Sequence, residues 1–329
     1  MFGSKKIPQN TASDFLLGRQ VCGHCHRYVS FDGQAPLSLV QCPLCNEGYN
    51  FVPMRISRFW LFAPLGGGGM GSVYKALIQD DPDHYAAVKI LPRDRKADPI
   101  LTAGLQAESS TIEQLGQNPC IVSGLGSGFE ENEYFLAMQF MEGERLDKLV
   151  QRLRRVPELD VILIGLRLLQ AETHIYNQGF LFRDMKPENV IVNDAGAHLF
   201  DYGICIRIEN TYTDQGDMVS GSPIYWPPER VVGEIEGCSS EIYSLGMVLY
   251  HAAAGEPYFQ AKEIEAMARK HVRSFRVSDY DQKMKKIRPD LANVIMRMIS
   301  REPQDRYQSF AEVEAELVRI LNARLAPPQ

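Results

Sequence analysis

Phe182-Arg183-Asp184-Met185-Lys186-Pro187-Glu188-Asn189 gathers a carboxylate, an ammonium and an amide into one short stretch. Twelve residues after Asn189, behind a short apolar run, stands Asp201-Tyr202-Gly203. The first stretch reads as a loop, and the second as the end of a strand bringing another carboxylate to the same point. Transfer of a phosphoryl group uses this set. An Asp orients the attacking hydroxyl, a Lys neutralises the moving phosphoryl group, and an Asn and a second Asp hold Mg²⁺. Alone, such a string is a hypothesis that its context must decide.

Two upstream features supply that context. Leu65 to Ala76 fits G-x-G-x-x-G-x-V on Gly66, Gly68, Gly71 and Val73. Glycine lets the backbone approach phosphate oxygens without a Cβ in the way. A flexible turn would show the same glycines, and a dinucleotide site would need a helix straight after them. Ser72-Val73-Tyr74-Lys75-Ala76 reads instead as a strand, which favours a flap over a nucleotide. Ala86-Ala87-Val88-Lys89-Ile90-Leu91 then sets Lys89 in an apolar strand, where an unpaired ammonium is costly. Glu108, nineteen residues on in a helix, is the natural partner.

A separate cluster lies near the N-terminus. Four of the seven cysteines form Cys22-Gly23-His24-Cys25 and Cys42-Pro43-Leu44-Cys45 with sixteen residues between the pairs. This spacing is a strong signal for a closed, structural Zn²⁺ site whose binding supplies folding energy to a small module. A pair of disulfides is the competing reading, and nothing in the sequence suggests export. His24 and His26 are alternative ligands that the site does not need. Only Arg19, Arg27 and Arg55 make the module basic, which argues against nucleic acid and for protein docking or bracing.

These residues need elements to hold them. Strand-like pieces run over Phe59–Leu65, Ser72–Leu77, Tyr85–Leu91 and Tyr134–Phe140, with one helix near Ile100–Leu115 among them. After Gly143 the pattern turns helical: a buried helix around Val161–Ile175, another over Ile242–Ala253, and a last one over Ala311–Leu321. A strand-rich first part and a helix-rich second part predict an α+β, bilobal fold with a cleft between the lobes. The predicted organisation is a flexible leader at 1–14, a zinc ribbon at 15–55, a large domain at 59–322 and a short tail at 323–329. The short join near 53–58 predicts that the ribbon packs against the large domain.

The order and spacing of these motifs resemble the protein kinase family, most closely the bacterial Ser/Thr kinases of eukaryotic (Hanks) type. The resemblance covers residues 59 to about 322. It implies a β-rich N-lobe, a helical C-lobe, ATP with Mg²⁺, and transfer of the γ-phosphoryl group to Ser or Thr hydroxyls of protein substrates. By the same resemblance Asp184 is the base and Lys186 the phosphate-neutralising lysine, while Asn189 and Asp201 are Mg²⁺ ligands. Lys89 and Glu108 would hold the α- and β-phosphates. Val73 and Ala87 would sandwich adenine, Gln139-Phe140-Met141 would be the hinge, and Met138 would guard the deeper pocket. Ser222 would bridge Asp184 and Lys186, favouring Ser/Thr over Tyr acceptors, and Arg306 would pair with Glu229 of Pro227-Pro228-Glu229.

Arg183 implies ordering by a phosphorylated segment, with Thr211, Thr213 and Ser220 as candidate sites; the usual position falls near Met218. Three positions depart from the family pattern: Phe182 for His, Tyr202 for Phe and Glu241 for Asp. They leave a pseudokinase scaffold as one rival reading, and a nucleic-acid adaptor regulated by the kinase part as another.

Composition sets outer limits. The chain has 329 residues, 45% hydrophobic and 23% charged, with a net charge of −6. That balance gives no support for nucleic acid or an anionic membrane as main partner. No apolar run reaches the roughly 20 residues of a membrane span, and no signal peptide is evident, so a cytoplasmic protein is expected.

Overall fold

The computed structural model describes residues 9–68, 71–212, 221–273 and 282–326. Thr213, Met218 and Ser220 lie outside the described residues. The chain divides into two compact units, one of residues 1–110 and 123–140, the other of 111–122 and 141–329.

In the first unit the described chain opens with a short helix, α1 (Ala12–Leu16), capped by Thr11, whose hydroxyl accepts from the Asp14 N–H. Helix α1 thus overlaps the stretch expected to be leader, anchored by Phe15, which is buried against Trp60 and Leu77. Two small hairpins follow: β1 (Arg19–Val21) with β2 (Tyr28–Ser30), and β3 (Leu39–Gln41) with β4 (Tyr49–Phe51). The rest of the unit is a six-stranded antiparallel sheet. Its strands are β5 (Met54–Ile56), β6 (Phe59–Gly68), β7 (Gly71–Ile78), β8 (Asp81–Ile90), β9 (Gly124–Glu130) and β10 (Glu133–Gln139), in the order β5-β6-β7-β8-β10-β9. Strands β5 and β9 had no clear sequence signal. β5 has three residues, and β9 reads Gly-Leu-Gly-Ser-Gly-Phe-Glu, too rich in glycine for strand propensity to register.

The period of two along β8 explains how the sheet serves a site. Ala86, Val88 and Ile90 point into a core shared with Ile56, Phe59, Leu61, Ala76 and Phe135. Ala87 and Lys89, one step out of phase, are only half-buried on the other face. The cysteine module packs on this sheet: Leu37 joins its core, Phe51 stacks 5.8 Å from Tyr74, and an Arg93 N–H donates to the Pro36 carbonyl at 3.0 Å. Helix α2 (Pro99–Leu115) starts at Asp98, whose carboxylate accepts from the N–H groups of Ile100 and Leu101.

The second unit is mostly helical. It contains α3 (Leu146–Leu153), α4 (Glu158–Asn177), α5 (Pro228–Val232), α6 (Cys238–Ala254), α7 (Ile264–Val272), and two further helices at Pro289–Met298 and Phe310–Leu325. Gly165 lets three of them close up: a Cβ there would stand 3.1 Å from Leu317 and 3.2 Å from Leu249. The last helix runs through Leu325, so residues 323–325 are helix rather than tail. Short strands carry the irregular segments: β11 (Glu144–Arg145) pairs with β13 (Val190–Asn193), β12 (Phe180–Leu181) precedes the Asp184 loop, and β14 (Gly196–Leu199) pairs with β13 after it. No helix among the described residues is long and apolar enough to cross a membrane.

Candidate active site

In the first unit, β6 and β7 form the glycine hairpin, with Gly66 opposite Val73 and Gly68 opposite Gly71. Gly71 has no substitute here: a Cβ would lie 2.8 Å from the Ile90 carbonyl oxygen. Val73 pairs with Lys89 across β7 and β8, and Met138 pairs with Ala87 across β10. The Lys89 ammonium donates to Glu108 Oε2 at 2.7 Å, and Glu108 is 3% exposed, so the buried carboxylate fixes where the ammonium sits. The Gln139 and Phe140 N–H groups are committed to the carbonyls of Ser123 and Tyr85.

In the second unit, the loop between β12 and β13 closes on itself. One oxygen of Asp184, Oδ2, accepts from Lys186 Nζ at 2.6 Å and from Asn189 Nδ2 at 2.8 Å, and the Asn189 amide also reaches the Asp184 carbonyl. The other oxygen, Oδ1, is buried with no donor among the described residues. An unsatisfied buried acceptor costs about 1–3 kcal/mol, so it marks the place where an incoming hydroxyl gains most by donating. Asp201 holds a left-handed backbone (φ 69°) at the end of the strand that follows. Asn189 turns its amide nitrogen toward Asp184, and its oxygen is the atom suited to a hard cation.

Arg183, just before Asp184, is also left-handed (φ 67°) and is held at three points. Its N–H donates to Glu241 Oε1 at 3.0 Å, its carbonyl accepts from Arg230 at 2.8 Å, and its guanidinium meets Glu236 Oε1 at 2.9 Å. Glu236 Oε2 also accepts two bonds from Arg230.

The departures at 182, 202 and 241 are absorbed. Phe182 is fully buried edge-on to the Tyr202 ring, with centroids 6.0 Å apart, and the Tyr202 hydroxyl donates to Leu199 O at 2.8 Å. The hydroxyl that Tyr202 adds is thus satisfied on backbone carbonyls, with a second at Val122 O. Glu241 keeps its bond to the loop backbone despite the extra methylene. Burial pushes its carboxyl up, Arg230 opposes this and Glu236 reinforces it, leaving it at about 7. Glu172 on α4 is pushed well up by burial, and then by the charge of Glu241 and a hydrogen bond to it.

Ser222 begins a tight turn, and its carbonyl accepts from the Tyr225 N–H. Lys186 reaches Asp184 directly. Next to it Gly221 (φ 93°) passes so close that a Cβ would lie 3.2 Å from Asp184 Oδ1. Thr211 donates to the Ile208 carbonyl. Arg306, fully buried, grips both oxygens of Glu229 at 2.7 and 2.9 Å. Gly221, Arg230 and Glu236 carried no sequence signal that could be used, since each acts through a contact distant along the chain.

The chain matches the model of the protein kinase domain over residues 60–317. It belongs to the protein kinase domain family. It is 30% identical over 284 residues to the serine/threonine-protein kinase PknB of Mycobacterium leprae, covering 84% of this chain and 45% of that protein. To PrkC of Bacillus subtilis, also a serine/threonine-protein kinase, it is 27% identical over 275 residues, covering 83% of this chain and 42% of that one. The kinase-domain chain thus spans less than half the length of these curated relatives.

Ahead of the kinase domain, the Sγ atoms of Cys22, Cys25, Cys42 and Cys45 all lie within 4.8 Å of one another, with Cys25 and Cys42 3.9 Å apart. Four sulfurs at about 2.3 Å from one tetrahedral ion would be spaced about 3.8 Å apart. All four are free thiols, so the disulfide reading fails. The two pairs fold alike: His26 and Asn46 are left-handed, and their N–H groups donate to the backbone carbonyls of Cys22 and Cys42 at 2.9 Å. A Cβ on Gly48 would fall 2.8 Å from the Cys22 sulfur, so glycine keeps the cradle open. Burial raises the Cys22 thiol, but the backbone N–H groups of Cys25 and His24 outweigh it and bring it to about 6. That favours a thiolate ready for metal.

Proposed function

We propose that this chain is a Ser/Thr protein kinase that moves the γ-phosphoryl group of ATP to a hydroxyl of a protein substrate, and that its cysteine module is a structural zinc site. The observation that carries the first reading is the split role of Asp184. One oxygen is fixed by Lys186 and Asn189, and the other is a buried acceptor without a donor among the described residues. In this reading the substrate hydroxyl donates to Oδ1 and its oxygen forms a bond to the γ-phosphorus. The bond from that phosphorus to the β,γ-bridging oxygen breaks, ADP departs, and Asp184 takes the proton. Lys89, oriented by Glu108, holds the α- and β-phosphates under the Gly66–Gly71 hairpin, with Val73 and Ala87 against the base. Lys186 offsets charge on the moving group. Asn189 and Asp201 would hold magnesium, which supplies charge neutralisation of the phosphates when bound.

Cys22, Cys25, Cys42 and Cys45 would hold Zn²⁺ in a closed site with bracing as its role. Protein substrates with Ser or Thr acceptors, a protein partner at the module and a cytoplasmic location complete the proposal. The test is Asp201→Ala: transfer of radiolabelled phosphate to a generic protein substrate should fall by at least about 1000-fold with an unchanged melting curve. Turnover close to that of the unaltered chain would refute the assignment.

A further inference from the structure

The anchoring of Arg183 points to a residue that the reaction chemistry does not name. We propose that Glu236 is a positioning residue, a built-in counter-ion that sets the catalytic loop, so that phosphoryl transfer does not require covalent phosphorylation of residues 211–220. The inference rests on the kinase reading of Asp184 and deepens it.

Arg183 sits in a backbone conformation that residues other than glycine seldom adopt, so something must hold it there. Glu241 takes its N–H and Arg230 its carbonyl, and Glu236 takes its guanidinium. Glu236 divides its two oxygens between Arg183 and Arg230, all three side chains being nearly buried. A carboxylate bridging two guanidiniums offers them what an added phosphate would: acceptor oxygens and negative charge.

The carboxylate is itself well placed to do this. α5 ends at Gly233, left-handed at φ 74°, the Glu234 N–H returns to the Glu229 carbonyl at 2.8 Å, and Gly237 opens α6. Glu236 is therefore fixed between two helix ends, themselves tied to Arg306 through Glu229. The next residue after Arg183 is Asp184, so the direction of the Asp184 carboxylate depends on this clamp.

The full chain, made with a co-expressed phosphatase and shown by intact mass to carry no phosphate, tests this beside the Thr211→Ala/Thr213→Ala/Ser220→Ala variant. Both should transfer phosphate within about threefold of untreated protein. Glu236→Gln should lower kcat about 100-fold with little change in the KM for ATP, and Glu236→Asp, which keeps the charge, should recover at least tenfold of that loss. Amide exchange over residues 180–190 should be slow in phosphate-free protein and fast in Glu236→Gln.

A tenfold fall in kcat on removing phosphate, restored by rephosphorylation, overturns the inference. So does unchanged kcat or unchanged exchange in Glu236→Gln. The exchange measurement reads the clamp even in a chain that transfers nothing, so failure of the kinase reading and failure of this inference give different results.

Discussion

The cysteine module and the catalytic loop face the same problem and solve it by opposite means. Each must hold short, irregular backbone in left-handed conformations, at His26 and Asn46 in the one and at Arg183 and Asp201 in the other. The buried cluster between the module's two hairpins is small: Val29 with Cys22 and Cys42, against which Cys25 and Cys45 are partly buried. Its hold is a set of thiols around one point, with a glycine kept bare beside them. The loop sits inside a large helical unit and is held by side chains from distant elements, Glu241, Arg230 and Glu236, that reach its backbone and guanidinium. A core of that size can bury charged partners and keep them satisfied. About forty residues cannot, so the proposed metal would have to supply that hold instead.

The contrast can be broken most forcefully at the metal. A structural zinc contributes about 10–16 kcal/mol to a small module. Chelation, or Cys42→Ser, should therefore strip exchange protection from β1 to β4 while β6, β7 and β8 stay protected. Gly48→Ala should weaken zinc binding about 10- to 100-fold through crowding at the Cys22 sulfur. Protection of β1 to β4 that survives loss of metal would show that the module is held by its packing instead.

The helical side breaks at Arg306. Arg306→Met removes both bonds to Glu229 and leaves that carboxylate buried with Ser240 as its side-chain donor among the described residues. Urea unfolding should show a loss of about 3–5 kcal/mol. A loss below about 1 kcal/mol would mean that the pair is not what ties α5 to the rest of its unit.

The smallest effect sharpens the comparison at the carboxyl pair. Burial raises both Glu172 and Glu241 above their ordinary range, so the folded pair keeps a proton that the unfolded chain releases. The sign follows: this pair favours the folded state below the unfolded carboxylate pKa. That contribution is lost as pH rises toward about 7, where Glu241 gives up its proton. Glu172→Gln supplies a permanent donor in place of the shared proton. Its melting temperature should exceed that of the unaltered chain by a few degrees at pH 8, with the gap closing below pH 5. An equal gap at both values would assign the effect to packing.

Much of the site could be read from the sequence because its chemistry is written locally. Asp184, Lys186 and Asn189 share one loop, the glycines share one hairpin, and the cysteine pairs stand at knuckle spacing. Lys89 and Glu108 were legible for a different reason: an ammonium in an apolar strand demands a carboxylate, and the following helix supplied one. The strands β5 and β9 were not legible, since three residues and a glycine-rich run carry too little pattern. Order near the N-terminal side reaches past the expected boundary because Phe15 packs on Trp60 and Leu77, whereas Leu325 is exposed and simply continues the last helix.

The sequence by itself determined the family and named the candidate reacting side chains and candidate cysteine ligands, because motif spacing is a property of neighbouring residues. Only the tertiary structure decided what holds those groups in place. Glu236, 53 positions after Arg183, and Glu172, 69 positions before Glu241, meet their partners because helices and turns return the chain there. A charge in water signals nothing about its partner; buried, it is tolerable only beside one, and burial is what folding creates.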